Sequence, residues 1–240
     1  MSALTKSQIR KAGSTLRAFT RGEATASERD AAIETIAQYR ATFAYPLLKV
    51  NNGLRGFLNT LKIDAEVSQR LKRMDTIIEK ISTRETGLDL SRMGDIGGCR
   101  IVLTDDDLDD LARIHHWIRY RWGEQITRES DYVEYPRSSG YRAIHLVVRR
   151  DERLIEVQLR TQRMHAWAQL IEALSQSLGT NYKQDADESA VHDFGRSLSK
   201  IHQSMDGRYA LTPEDKAEFT YWSERVADML TSHEINDEEV

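Results

Sequence analysis

Apolar residues recur at helical spacing through the first quarter of the chain. Ile9, Ala12 and Leu16 mark one helix over 5–22, and Ala31, Ile33, Ile36 and Tyr39 mark a second over 27–42, opened by Ser27 and Glu28. Pro46 is expected to break or kink the chain before a third helix, LLKVNNGLRGFLNTL. The period then changes. EVSQRLKR reads as a short strand, and DTIIEKISTRE as a helix capped by Asp75. GCRIVL (98–103) is a compact β-branched run of the kind found in buried strands. TDDDLDDLARIHHWIRYRW begins acidic and ends basic, the charge order that suits a helix dipole. QITRES, AIHLVVRR and RLIEVQLRT read as strands, the last two joined as a hairpin through 151–152. Helices follow over 162–178, about 187–206 and 213–231. The pattern predicts an α+β fold: a mixed sheet of about five strands flanked by helices, with helical extensions at both ends. The expected division is a helical region 1–62, a core 63–183, and C-terminal helices with an acidic tail over 184–240.

Composition narrows the function classes. The chain has 240 residues, 40% of them hydrophobic, with only 3 prolines, so it can bury a core without a long linker. Its formal net charge is −4 although 30% of residues are charged. That argues against a wholly basic nucleic-acid binder, whose pI typically exceeds about 9. A local basic patch remains: residues 6–21 hold Lys6, Arg10, Lys11, Arg17 and Arg21 with no acid among them. The ending HEINDEEV reads as a solvated, frayed tail. The single cysteine, Cys99, excludes an internal disulfide and a thiolate metal cage, and its place beside an apolar run suits a buried strand thiol. The N-terminus lacks an apolar leader core, and no run of about 18 apolar residues occurs, so a cytoplasmic protein without membrane association is expected.

Three segments place polar groups at the edges of apolar strands. In QRLKRMDTIIEK, Arg70 and Lys72 alternate with Leu71 on a strand and share one face, with Lys80 on the helix that follows. The segment is either a solvated basic strand or a phosphate-facing one. In MGDIGGCR, Asp95 precedes two glycines, which let backbone or ligand approach closely. A turn with Asp95 as a local cap accounts for that, but not for Arg100, a charge inside a buried strand that requires a partner. In IEVQLRT, Glu156, Gln158 and Arg160 share one strand face, which is either a solvent face or a site. Asp95 and Glu156 are two carboxylates of the number Mg²⁺ takes when phosphate oxygens and water complete its octahedron. The basic residues would neutralise a polyphosphate. No Walker A motif is present. A fourth segment, DYVEYPRSSGYRAIH, carries Arg137, Tyr141, Arg142 and His145 with Tyr141 expected to be exposed, more chemistry than a turn needs.

Taken in order, RLKRMDTIIEK, RMGDIGGCRIVL, DYVEYPRSSGYRAIH and IEVQLRTQRMHAWAQ resemble the synthetase domain of the RelA/SpoT family, with its nucleotidyltransferase-like core, over about residues 66–172. Members move the β,γ-pyrophosphate of ATP onto a ribose 3′-hydroxyl. The resemblance implies that Arg70 and Arg100 sandwich the adenine of ATP and that Lys72 and Lys80 contact its phosphates. It implies that Asp95 binds Mg²⁺ and that Glu156 binds it too or acts as the base. Tyr141 would stack on the acceptor base, Arg137, Arg142 and His145 would hold acceptor phosphates, and Gln158 with Arg160 would support the site. The chain departs from the family pattern after MHAWAQ: Glu172 is followed by Ala173, and NYK arrives only at 181–183. No His-Asp pair precedes these motifs, and His192-Asp193 lacks companions, so a synthetase-only member is implied rather than one with a hydrolase domain. LTKSQIRKAGSTLR and YRATFAYPLLKVNNGLRGFL resemble the small alarmone synthetases that act as toxins. That subgroup implies transfer to the tRNA 3′-CCA end, with Arg10, Lys11 and Arg17 as tRNA contacts and an antitoxin protein as partner. The alternative is (p)ppGpp synthesis with GDP or GTP as acceptor. EFTYWSERVADML, with Phe219, Trp222, Val226 and Leu230 on one face, either caps the core or joins copies into a homo-oligomer.

Overall fold

A computed structural model describes residues 4–84, 87–178 and 190–238. Helix α1 (Lys6–Thr20) and helix α2 (Ala26–Ala41) each begin with a reciprocal cap, Thr5 with Gln8 and Thr25 with Glu28. The start of α2 is therefore set by Thr25, two residues before the serine expected. Helix α3 (Ala44–Leu61) takes Pro46 into its first turn, where a missing N–H costs nothing, so the proline begins this helix rather than breaking the chain. Strand β1 (Ala65–Leu71) precedes helix α4 (Met74–Glu79), which passes into a wider π turn over Lys80–Arg84. Asp75 does not cap α4: the cap position is Arg73, and Asp75 accepts only from the adjacent Thr76 N–H.

Strand β2 (Gly97–Leu103) leads to helix α5 (Leu108–Trp122), where Asp107 accepts from the N–H groups of Asp109 and Asp110. Strand β3 (Ile126–Asp131), strand β4 (Ile144–Arg150) and strand β5 (Arg153–Arg160) follow. Asp151 and Glu152 both take positive φ, 46° and 61°, the two-residue turn whose twist matches a hairpin. The sheet runs β1-β2-β5-β4-β3. Helix α6 (Gln162–Ser177), capped by Thr161, helix α7 (Ala190–Met205) and helix α8 (Pro213–Glu238) complete the described residues. The acidic end expected to fray is thus helical as far as Glu238, while NYK at 181–183 and the 183/184 boundary lie outside the described residues. Among the described residues no helix is long and apolar enough to cross a membrane.

Contacts divide the chain into two compact units that interleave along it. The first holds Met1–Ile101, His116–Glu129 and Leu146–Gln158, so the helical region 1–62 shares a unit with β1 and most of the sheet. Phe43, Val50, Leu54, Ile77, Ile81, Ile101 and Ile155 lie fully buried there. Cys99 is buried too, and desolvation pushes its thiol up to about 12, as an inert strand residue requires. The second unit holds Val102–His115, Ser130–His145 and Leu159–Val240. Its core gathers Tyr141, Trp167, Ile171, Leu174, Val191 and Val226, with Leu230 and Phe194 packed against it. Phe219 stacks on Phe194, so much of the apolar face of α8 caps this unit's own core.

Gly53 on α3 shows how tightly the first unit is packed. A Cβ there would lie 2.5 Å from Trp122, whose ring is buried and held by Phe57 at 4.8 Å and by Arg150 over its face. Overpacking of this kind costs about 1–3 kcal/mol, against about 1 kcal/mol gained in helix propensity by alanine. Gly53→Ala should therefore lower the unfolding free energy by about 1 kcal/mol net, or about 2–4 °C in a thermal melt for a chain of this size. A melting temperature equal to or above wild type would mean the indole has room to move.

Candidate active site

In the first unit, Asp89 caps the short turn Leu90–Arg92, and the buried side chains of Leu90, Met93 and Ile96 clamp the segment that carries Asp95. Lys72, one residue beyond β1, donates its backbone N–H to the Ile96 carbonyl at 2.8 Å, which brings its side chain to the same place. Lys80 begins the π turn between the buried Ile77 and Ile81. Such wide turns often occur at functional sites. Both ammonium groups donate to Asp95 Oδ2, each at 3.0 Å. Burial alone would raise the Asp95 carboxyl, but the adjacent Lys72 and Lys80 outweigh it and hold it below its ordinary range. Asp95 Oδ1 is buried with no hydrogen-bond partner.

On β2, Arg100 is half-buried while its neighbours Cys99 and Ile101 are fully buried, so it points away from that core. Arg70 is exposed on the neighbouring edge strand β1. On β5, Glu156 and Gln158 are half-buried between the buried Ile155, Val157 and Leu159, and Gln158 Nε2 donates to Glu156 Oε2 at 2.9 Å. Among the described residues no cluster of three or more His, Cys, Asp and Glu forms a metal cage. Asp95, with its unpartnered Oδ1, and Glu156 on the strand beside β2 fit the one or two carboxylates that Mg²⁺ takes when phosphates supply its other ligands.

Helix α1 serves this same segment. Gly13 packs near Leu90 and Ile81, Arg10 Nε donates to Asp89 Oδ2 at 2.7 Å, and Arg17 Nη1 donates to the Leu88 carbonyl at 3.2 Å. Positions 10, 13 and 17 lie on one helical face. Of the three expected tRNA contacts, two are therefore turned onto the chain's own loop, and Lys11 alone is exposed without such a tie.

In the second unit the loop between β3 and β4 is closed by the Tyr132 N–H bonded to the Ala143 carbonyl and by the Arg137 N–H bonded to the Tyr141 carbonyl. Tyr141 is not the exposed aromatic expected: it is 8% exposed, within the core of α6 and α7. Its hydroxyl accepts from Arg160 Nη2 at 2.8 Å and shares a 2.6 Å hydrogen bond with His145 Nε2. The solvent-facing aromatic of the loop is Tyr135, at 76%. Arg137 is exposed and lies over the Tyr132 ring, 4.4 Å from its centroid. Arg142 departs further from expectation. It is 4% exposed and donates Nη1 to Asp206 Oδ2 at 2.6 Å, so it braces the loop rather than reaching for an acceptor's phosphates.

Asp206, at 1% exposure, also accepts from Arg163 of α6. Sequence reading missed both residues. Arg163 sat in plain view in the TQRMHAW run, but nothing in SMDGR marked Asp206 as the distant partner of two arginines.

The architecture is that of the small alarmone synthetases. The fold is similar to small alarmone synthetase 1 of Bacillus subtilis, alone (TM-score 0.59, 22% identity, 72% of this chain and 93% of that one) and bound to its product pppGpp (TM-score 0.57, 23% identity, 71% and 93%). Residues 69–186 match the family described as the region found in RelA / SpoT proteins. The GTP pyrophosphokinase YjbM of Bacillus subtilis is 29% identical over 163 residues, covering 64% of this chain and 76% of that protein. The GTP pyrophosphokinase YwaC of the same organism is 26% identical over 132 residues, covering 50% and 62%.

The depressed Asp95 carboxyl has a testable signature. A group whose pKa is lower folded than unfolded contributes stability that is complete above its ordinary value, 3.8 here, and is lost as pH falls through the folded value. The stability gap between wild type and Asp95→Asn, measured by urea midpoints, should therefore be widest above that ordinary value and close on acidification. A gap that stays constant down to pH of about 2 would reject the depressed pKa.

Proposed function

We propose that this RelA/SpoT-type pyrophosphokinase transfers the β,γ-pyrophosphate of ATP to the 3′-hydroxyl of a guanosine 5′-polyphosphate. The 3′-oxygen attacks the β-phosphorus, the bond from that phosphorus to the oxygen of the α-phosphate breaks, and AMP leaves. The observation that carries the reading is the Asp95 carboxylate held ionised by Lys72 and Lys80 with its second oxygen lacking a hydrogen-bond partner. Mg²⁺ at Asp95 and Glu156 would neutralise charge on the β- and γ-phosphates. Lys72 and Lys80 stand ready as further counter-charges for the donor, with Arg70 and Arg100 on adjacent strands as its adenine contacts. Glu156, oriented by Gln158, takes the 3′-hydroxyl proton if it is not committed to the metal. On the acceptor side, Arg137 is the exposed cation, while His145, Arg160 and Tyr141 form one hydrogen-bonded group. Alignment and charge neutralisation supply most of the rate in such transfers.

Transfer to the tRNA 3′ end, with an antitoxin as restraint, is the second reading. The exposed Lys6 and Lys11 favour it. It ranks second because Arg10 and Arg17 already brace the donor loop, and because the relatives above carry the name GTP pyrophosphokinase.

ATP labelled on its terminal phosphate, offered with GDP, GTP, tRNA and tRNA lacking its terminal adenosine, separates the two. Label in guanosine tetra- or pentaphosphate supports the nucleotide reading. Label in tRNA alone, lost with the terminal adenosine and falling steeply with added salt, would replace it with the second. Glu156→Gln should lower kcat by about 10²–10⁴-fold, and near wild-type turnover would remove Glu156 from the mechanism.

A further inference from the structure

We propose that Asp206 is a positioning residue that sets acceptor recognition by pinning the loop between β3 and β4 to the end of α7. The inference rests on the reading of that loop as the acceptor side. Asp206 follows the last residue of α7, and its side chain is almost wholly buried and committed to two arginines. Its Oδ2 accepts from Arg142 in the loop, and its Oδ1 accepts from Arg163 at the start of α6. Arg163 also pairs with Asp106 at 2.9 Å and donates its backbone N–H to that carboxylate at 2.6 Å. His202, which also faces this cluster, is driven down to about 4 by burial and by Arg163. It is neutral at physiological pH, so two cations meet two carboxylates and the charges balance.

A second tie lies two residues upstream. Gly140 has φ +87°, and a Cβ there would lie 2.7 Å from the Gly195 carbonyl oxygen and 2.7 Å from Ser199 Cβ, both on α7. The same Gly195 carbonyl accepts from Trp167 Nε1 at 2.8 Å, which fixes the surface the loop rests on. Tyr141 lies between these two anchors. Its backbone is held on one side by the close approach of Gly140 and on the other by Arg142, and its hydroxyl meets Arg160 and His145. Asp206 acts through Arg142 on the residues that present Tyr141 and Arg137. Removing it leaves a buried guanidinium without its carboxylate, and the loop gives way before the donor segment, which belongs to the other unit.

The experiment compares wild type, Asp206→Asn and Gly140→Ala, the second variant breaking the contact with α7 without touching a buried charge. Both should raise the acceptor KM by about 10- to 100-fold, the cost of displacing a positioning group by an ångström or so. The ATP KM should stay within about twofold. Hydrogen exchange should quicken at the Tyr132, Arg137 and Gly140 amides while the β1 and β2 amides keep their protection. An unchanged acceptor KM in both variants would overturn the proposal, as would a joint rise of both KM values with faster exchange throughout the chain. If wild type transfers pyrophosphate to no acceptor, the proposed function falls, and loop amides that keep their protection in Asp206→Asn would then reject the pin as well.

Discussion

A carboxylate withdrawn from water gains protons and loses its charge unless cations stand beside it; full burial alone shifts such groups by up to about 3–5 pK units. Asp95 meets that penalty and still ends below its ordinary range, because Lys72 and Lys80 share its Oδ2. The two lysines come from different elements, so the requirement organises the first unit around it. The Lys72 N–H is bonded to the Ile96 carbonyl, one residue beyond Asp95, and the π turn of Lys80 is fixed by Ile77 and Ile81 beneath it. Helix α1 secures the far side of the segment through Arg10, Gly13 and Arg17.

The second unit applies the same rule with the signs exchanged. Arg142 is withdrawn from solvent and Arg163 is half-buried, and Asp206 with Asp106 keeps them neutral in sum. Buried ion pairs of this kind are poor contributors to net stability but costly to break on one side, so their use is to specify one arrangement over others. Here the arrangement specified is that of a loop. A solvated arginine at position 142 would leave it free to take many conformations, lowering the fraction in the one arrangement seen here.

Most of the architecture was legible because it rests on local rules. The acid-to-basic run of α5, the strand GGCRIVL and the charged turn at Asp151 and Glu152 each follow from near neighbours. Small errors had local causes as well: Thr25 outcompetes Ser27 as a cap because Glu28 completes its capping box, and Pro46 fits a first turn. The site was harder. Residue types and order pointed to Asp95, Lys72 and Lys80, and the structure brings these three together. Exposure could not be read, because it depends on partners far along the chain: Tyr141 is buried by α6 and α7, and Arg142 by an aspartate 64 residues away.

The donor cluster can be weighed by its charges. Lys72, Lys80 and Asp95 sum to one positive charge, enough to attract a polyphosphate and to hold the carboxylate ionised at the same time. If either lysine were missing, burial would pull the Asp95 carboxyl upward and weaken its claim on a hard cation. If the aspartate were missing, two half-buried ammonium groups would lose the carboxylate they share. The lysines therefore have a role in the folded chain itself. They keep Asp95 charged, so that one of its oxygens remains committed to them and the other has no hydrogen-bond partner. That division of one carboxylate, one oxygen paired with two cations and the other without a hydrogen-bond partner, is the feature on which the proposed metal role of Asp95 rests.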